Sequence, residues 1–123
     1  MEKITCICVM RELMMALSDF ENKLIDAHSV SLNEAMVLCA LGEECITASV
    51  IAERTGLRPS HASKVIGTLE DRGYLKRELG KHDKRQMYFS LTDMGKECLL
   101  RIKTYEFDIP ELLKPVFKTY PNR

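Results

Sequence analysis

With 123 residues, 46% of them apolar and 29% charged, the chain can bury one modest hydrophobic core but not two, so a single domain over residues 1–123 is expected. Eighteen Lys and Arg balance eighteen Asp and Glu, and the composition is that of an ordinary globular protein. It excludes low-complexity architectures, and five Cys without framework spacing exclude a disulfide scaffold.

The N-terminal run ITCICVM is too short to cross a bilayer, and Arg11 and Glu12 follow it at once. No basic flank or small-residue cleavage site marks an export signal, so a cytoplasmic location without membrane partners is expected. From about residue 5 to residue 27 the pattern predicts a long helix. Cys6, Met10, Leu13, Leu17, Phe20 and Leu24 recur in alternating steps of four and three, a heptad-like seam that suits pairing along its length. Met14, Met15 and Ile25 add a second apolar strip. A core helix of a monomer fits the same pattern, and the two readings stay open at this point.

Ser31 and Glu34 stand three apart before an apolar run, a capping box that opens a second helix to about Leu41, closed by Gly42. A third, short helix runs between Thr47 as cap and Gly56 as terminator, with Ile51, Ala52 and Thr55 turned inward. The fourth begins at Pro59, a residue suited to the first helical position, and ends near Arg72 before Gly73. Its Ala62, Val65, Ile66 and Leu69 form the apolar stripe. The opposite face carries Ser60, His61, Lys64, Gly67, Thr68 and Asp71, slimmer than a solubilising face built of long Glu and Lys side chains.

Two strand-length runs, YLKREL and QMYFSL, flank a polar loop opened by Gly80, which predicts a two-stranded hairpin with a basic tip. Thr92 then caps a helix with Cys98, Leu99, Ile102 and Tyr105 on one side. One or two turns and a frayed end are expected after Pro110, because Pro115 interrupts the last segment. The order of helix, helix, tight turn, helix and hairpin is that of a winged helix-turn-helix: mostly α with a small β-hairpin, an α+β class.

This order matters for the charge. Between Arg54 and Ser90 there are nine Lys and Arg against four Asp and Glu, a balance of +5, and the remainder of the chain is −5. Such segregation fits a polyanion partner, although a solvated turn would account for the hairpin charges alone. A helix held from behind can present Pro59, Ser60, His61, Ser63, Lys64 and Thr68 to base edges in a major groove. Lys81, His82, Asp83, Lys84 and Arg85 crowd at the hairpin tip, where an arginine can enter a narrow minor groove, held by a bidentate pair with Asp83. Lys76 and Arg77 at the hairpin base, and Arg58 before the helix, are candidate phosphate contacts.

HDKRQMYFSLTDMG resembles the wing signature of the MarR family of bacterial transcription regulators: Asp83, Arg85, then Leu91, Thr92 and Gly95. LRPSHASKVIGTLEDRGYLKR is similar to that family's recognition helix and first wing strand, Leu69, Gly73 and Arg77 included. The resemblance extends over about residues 31–100. It implies a homodimer joined through N- and C-terminal dimerisation helices, here residues 5–27 and 92–123 around a core of 31–91. It further implies a pseudo-palindromic double-stranded DNA operator, and repression relieved by a small-molecule effector or by oxidation of a Cys. Cys6 and Cys8 lie roughly where the peroxide-sensing branch carries its reactive thiol. Packing is the preferred role for both, as for Cys39, Cys45 and Cys98, because the first helix offers no Tyr as donor. Arg58 stands where a Ser or Asp cap is usual.

A winged-helix protein-interaction module without sequence-specific DNA binding is the alternative; it would show apolar residues on the fourth helix. No nucleophile–base pair, phosphate-binding glycine loop or metal cluster points to an enzyme or a cofactor. His28, His61 and His82 are scattered, so no zinc site is expected.

Overall fold

The structure is a computed structural model that describes residues 1–119. The frayed end foreseen for the last residues lies outside the described residues. The chain forms two compact units, one of residues 1–29 with the C-terminal segment from 106, the other of residues 30–105.

In the first unit a 3-10 turn, Ile7–Val9, leads into α1, Met10–His28. The α-helix starts five residues later than the periodicity suggests. Ile4, Thr5, Ile7 and Val9 are β-branched, and Val9 at the N-cap offers no capping side chain, so the first turns lack what would start a regular helix. Ser29 ends α1 at φ 59 with its N–H donated to Ile25 O at 2.8 Å. The C-terminal segment joins α1 through aromatic contacts: Phe20 meets Phe107 at 5.3 Å and Phe117 at 5.7 Å between ring centroids. Lys23 Nζ donates to Asp108 O at 2.7 Å. A second 3-10 turn, Glu111–Leu113, and a short helix, Lys114–Thr119, close the segment.

In the second unit α2 spans Leu32–Leu41 and starts on the foreseen capping box: Glu34 N–H donates to Ser31 Oγ at 3.1 Å, and Ser31 N–H to Glu34 Oε1 at 2.8 Å. β1, Ile46–Thr47, precedes α3, Ala48–Thr55, whose cap is Thr47 Oγ1 and whose end is Gly56 in the left-handed region at φ 76. α4 spans Pro59–Asp71; β2, Leu75–Leu79, and β3, Met87–Leu91, form the wing ladder with Leu75 opposite Leu91 and Leu79 opposite Met87. The sheet has three antiparallel strands in the order β1-β3-β2, one more than the expected hairpin, because Ile46 and Thr47 pair with Phe89 and Tyr88. A strand of two residues carries no readable alternation, and Thr47 serves at once as strand and cap.

The core of this unit is Val37, Leu38 and Leu41 from α2, Ile51 from α3, Ala62, Ile66 and Leu69 from α4, and Leu75, Leu91, Cys98 and Leu99. The last two lie on α5, Asp93–Thr104, so this helix belongs to the winged-helix unit rather than with the segment after it. Thr92 explains why α5 starts where it does. Its Oγ1 accepts from Gly95 N at 3.1 Å and donates to Gly73 O at 2.6 Å, which ties α5 to the turn between α4 and β2. Gly95 is fixed by the same approach, because a Cβ there would overlap the carbonyl oxygen of Tyr74 and crowd Leu91 Cδ2. Gly95→Ala is therefore expected to destabilise the fold by ~1–3 kcal/mol, read as a lower urea midpoint with unchanged slope.

Candidate nucleic-acid interface

α4 buries Ala62, Val65, Ile66 and Leu69, as its spacing suggests, and this pins the helix from one side. Pro59, Ser60, His61, Ser63, Lys64 and Thr68 are all exposed, and Gly67 is half-buried between them. Arg58 is the N-cap and its side chain makes no capping hydrogen bond. Pro59 has no N–H, so the N–H groups of Ser60 and His61 face outward at a helix start, where an anion is favoured. Thr68 donates its hydroxyl hydrogen to Lys64 O at 3.1 Å, which leaves its oxygen as an acceptor toward any partner. Lys64 carries the one positive charge of this face.

The wing tip is built by Asp83. The loop from 80 to 86 is closed by Gly80 N–H to Gln86 O at 2.9 Å and by Gln86 N–H to Asp83 O at 3.1 Å. Asp83 Oδ1 accepts both from Arg85 N–H at 3.0 Å and from Arg85 Nε at 3.2 Å. The expected two-oxygen fork is absent, for one carboxylate oxygen already holds the backbone in an Asx-type turn. Arg85 is braced near its root and its side chain is 92% exposed. Lys81, His82 and Lys84 are exposed around it.

At the base of the wing the two candidate phosphate residues differ. Lys76 is exposed. Arg77 Nε donates to Glu70 Oε2 at 2.7 Å and Arg77 Nη2 to Glu70 Oε1, and its guanidinium lies 5.4 Å from the centre of the Phe89 ring. Arg77 holds the Glu70 carboxyl below the usual carboxylate range, mainly through these hydrogen bonds. Neither Glu70 nor Phe89 stood out in the sequence. They are joined to Arg77 across a turn and across a strand pair, and no helical spacing rule links residues 70 and 77. At the same C-terminal end of α4, Arg72 reaches Glu34 Oε2 at 3.2 Å and stacks over Tyr74 at 4.9 Å.

The thiols correct part of the expected packing. Cys98 is buried, and burial pushes its thiol pKa up. Cys6, Cys8, Cys39 and Cys45 are exposed, so a packing role does not hold for them within the single chain. Cys45 donates to Glu78 Oε1 at 3.0 Å on β2, the first wing strand, and this bond raises its thiol pKa. Both lie beside an open cavity of about 280 Å³ that Tyr88 and His82 also line. Among the described residues no cluster of His, Cys, Asp and Glu is arranged to hold a metal ion, and no single helix is long and apolar enough to cross a membrane.

Set beside known proteins, residues 28–86 match the sequence profile of the MarR family. A curated relative, the uncharacterized HTH-type transcriptional regulator YwaE of Bacillus subtilis (strain 168), is 37% identical over 49 residues, which is 40% of this chain and 29% of that protein. The match thus spans less than a third of the relative's length. Among solved structures, PcaV of Streptomyces coelicolor in complex with its natural ligand superposes with a TM-score of 0.67 at 25% identity, over 82% of this chain and 74% of that one. BldR of Sulfolobus solfataricus gives 0.66 at 20% identity over 98% and 100%, and S. aureus MepR in complex with DNA gives 0.63 at 15% over 78% and 80%. YwaE, BldR and PcaV are described as transcriptional regulators.

Proposed function

We propose that this chain, whose residues 28–86 match the sequence profile of the MarR family, is a transcriptional regulator that binds double-stranded DNA sequence-specifically as a homodimer. The observation that carries this reading is the pairing, within one compact unit, of an exposed small polar helix face with an arginine braced by Asp83. Ser60, His61, Ser63, Lys64 and Thr68 meet base edges in the major groove, where short side chains let the helix backbone approach. Arg85 enters the adjoining minor groove, and Lys81 and Lys84 surround it with positive charge, with His82 beside them. Arg58 and Lys76 meet phosphates. An interaction module would present apolar side chains on α4, and it presents none.

Pairing is supported by α1. Met10, Leu13 and Leu17 of the seam are 45%, 37% and 39% exposed, and Met14, Met15 and Ile25 are exposed beside them. A surface of that kind calls for a partner, and a second copy places two recognition helices on the half-sites of a pseudo-palindromic operator. In this reading the dimer is a cytoplasmic repressor. Its release follows binding of a small molecule or oxidation at Cys6 or Cys8, both exposed thiols.

Titration with salt of binding to a duplex from the chain's own promoter tests the reading. Affinity for that duplex is expected to exceed affinity for random sequence, and to fall steeply with salt as phosphate counterions are released. Equal affinity for both duplexes would end the claim of an operator reader.

A further inference from the structure

We propose that Glu70 and Arg77 are a positioning pair that sets the wing against the recognition helix, so that Arg77 supports DNA binding through geometry and not by touching a phosphate. The inference rests on the DNA-binding reading above and deepens it.

Five observations lead there. Arg77 spends two guanidinium nitrogens on the two oxygens of Glu70. Its charge also lies over the ring of Phe89, its partner across the strand pair, so one side chain touches α4, its own strand β2 and β3. Glu70 is only 18% exposed in its side chain, unlike the solvated partners of ordinary surface pairs, which contribute little. Of the side-chain hydrogen bonds described, these two are the ones that join α4 to β2. The backbone between those elements passes through Gly73 at φ 81, a point where the wing could otherwise swing. A forked pair with planar geometry resists such rotation, and a lysine could not replace it.

Charge separates this role from a phosphate contact. Removing a carboxylate from a DNA-binding surface strengthens attraction to phosphates, so a loss of affinity on removing Glu70 cannot be Coulombic in origin. The experiment is fluorescence anisotropy with the promoter duplex over a range of salt, on the full chain and on Glu70→Ala, Arg77→Ala, Arg77→Lys and the double alanine variant. A positioning pair predicts that Glu70→Ala and Arg77→Ala each weaken binding by about tenfold, and that the double variant is no weaker than either. It also predicts that Arg77→Lys keeps the defect despite its charge, and that the salt slope of Arg77→Ala matches the native chain.

The proposal is overturned if Glu70→Ala binds as well as or better than the native chain, or if Arg77→Lys is native-like. It is overturned equally if Arg77→Ala lowers the salt slope by about 0.9, the signature of one lost phosphate contact. Should an alanine variant fail to fold, Arg77→Lys decides alone. Failure of the native chain to prefer its promoter duplex would instead strike the DNA-binding reading itself.

Discussion

Placing glutamate at both Leu13 and Leu17 is expected to yield a monomer and to weaken operator binding by about a hundredfold or more, the loss that follows when two linked half-site contacts become independent. The two leucines follow Met10 on the α1 seam and are a little over a third exposed in the single chain, so glutamates there can reach water in a folded monomer. In a dimer they would bring four carboxylates into one apolar contact, a burial that costs several kcal/mol per unpaired charge. The effect should therefore fall on assembly before it falls on folding. Light scattering with size exclusion reads the mass, and anisotropy on full and half operators reads the consequence. The half-site affinity should change little. A double variant that remains a dimer would move the interface elsewhere, and a native chain that is monomeric at micromolar concentration would remove pairing from the mechanism.

The helices of the winged unit could be read from local chemistry because each has its start signal in its own residues. Ser31 with Glu34, Thr47, Pro59 and Thr92 act within four positions of themselves, and the structure uses each in that way. The stripe of Ala62, Val65, Ile66 and Leu69 was legible for the same reason, since a period of 3.6 needs no knowledge of what lies opposite. What escaped depends on partners distant in sequence. Ile46 and Thr47 become a strand only because Phe89 and Tyr88 lie beside them. Residue type alone suggests packing for Cys39 and Cys45, but one stands on the exposed side of α2 and the other meets Glu78, 33 residues away. The Asp83–Arg85 contact falls between these cases. Its existence follows from a spacing of two, while its geometry depends on how the loop closes through Gln86.

That distinction bears on how the wing should fail. Arg85→Ala is expected to lower operator affinity by ~10-fold or more, through the loss of a charged side chain from a narrow minor groove. Its side chain is 92% exposed and, among the described residues, its side-chain hydrogen bond runs to Asp83, so the fold should melt as before and the loss should reside in binding. One released counterion fewer should reduce the salt slope, by up to about 0.9. Arg85→Lys separates charge from shape: it keeps the slope, yet should recover only part of the affinity, because the guanidinium is planar and more weakly hydrated than an ammonium. Asp83→Ala carries the opposite charge change and so sharpens the argument. It removes a negative group beside the DNA, which by Coulomb's law favours binding, but it also releases the Arg85 backbone and Nε from a fixed turn. A weaker complex for Asp83→Ala would mean that ordering the finger outweighs the charge, whereas a tighter one would reduce Asp83 to a bystander. Native affinity for Arg85→Ala would leave α4 to read the duplex without the wing.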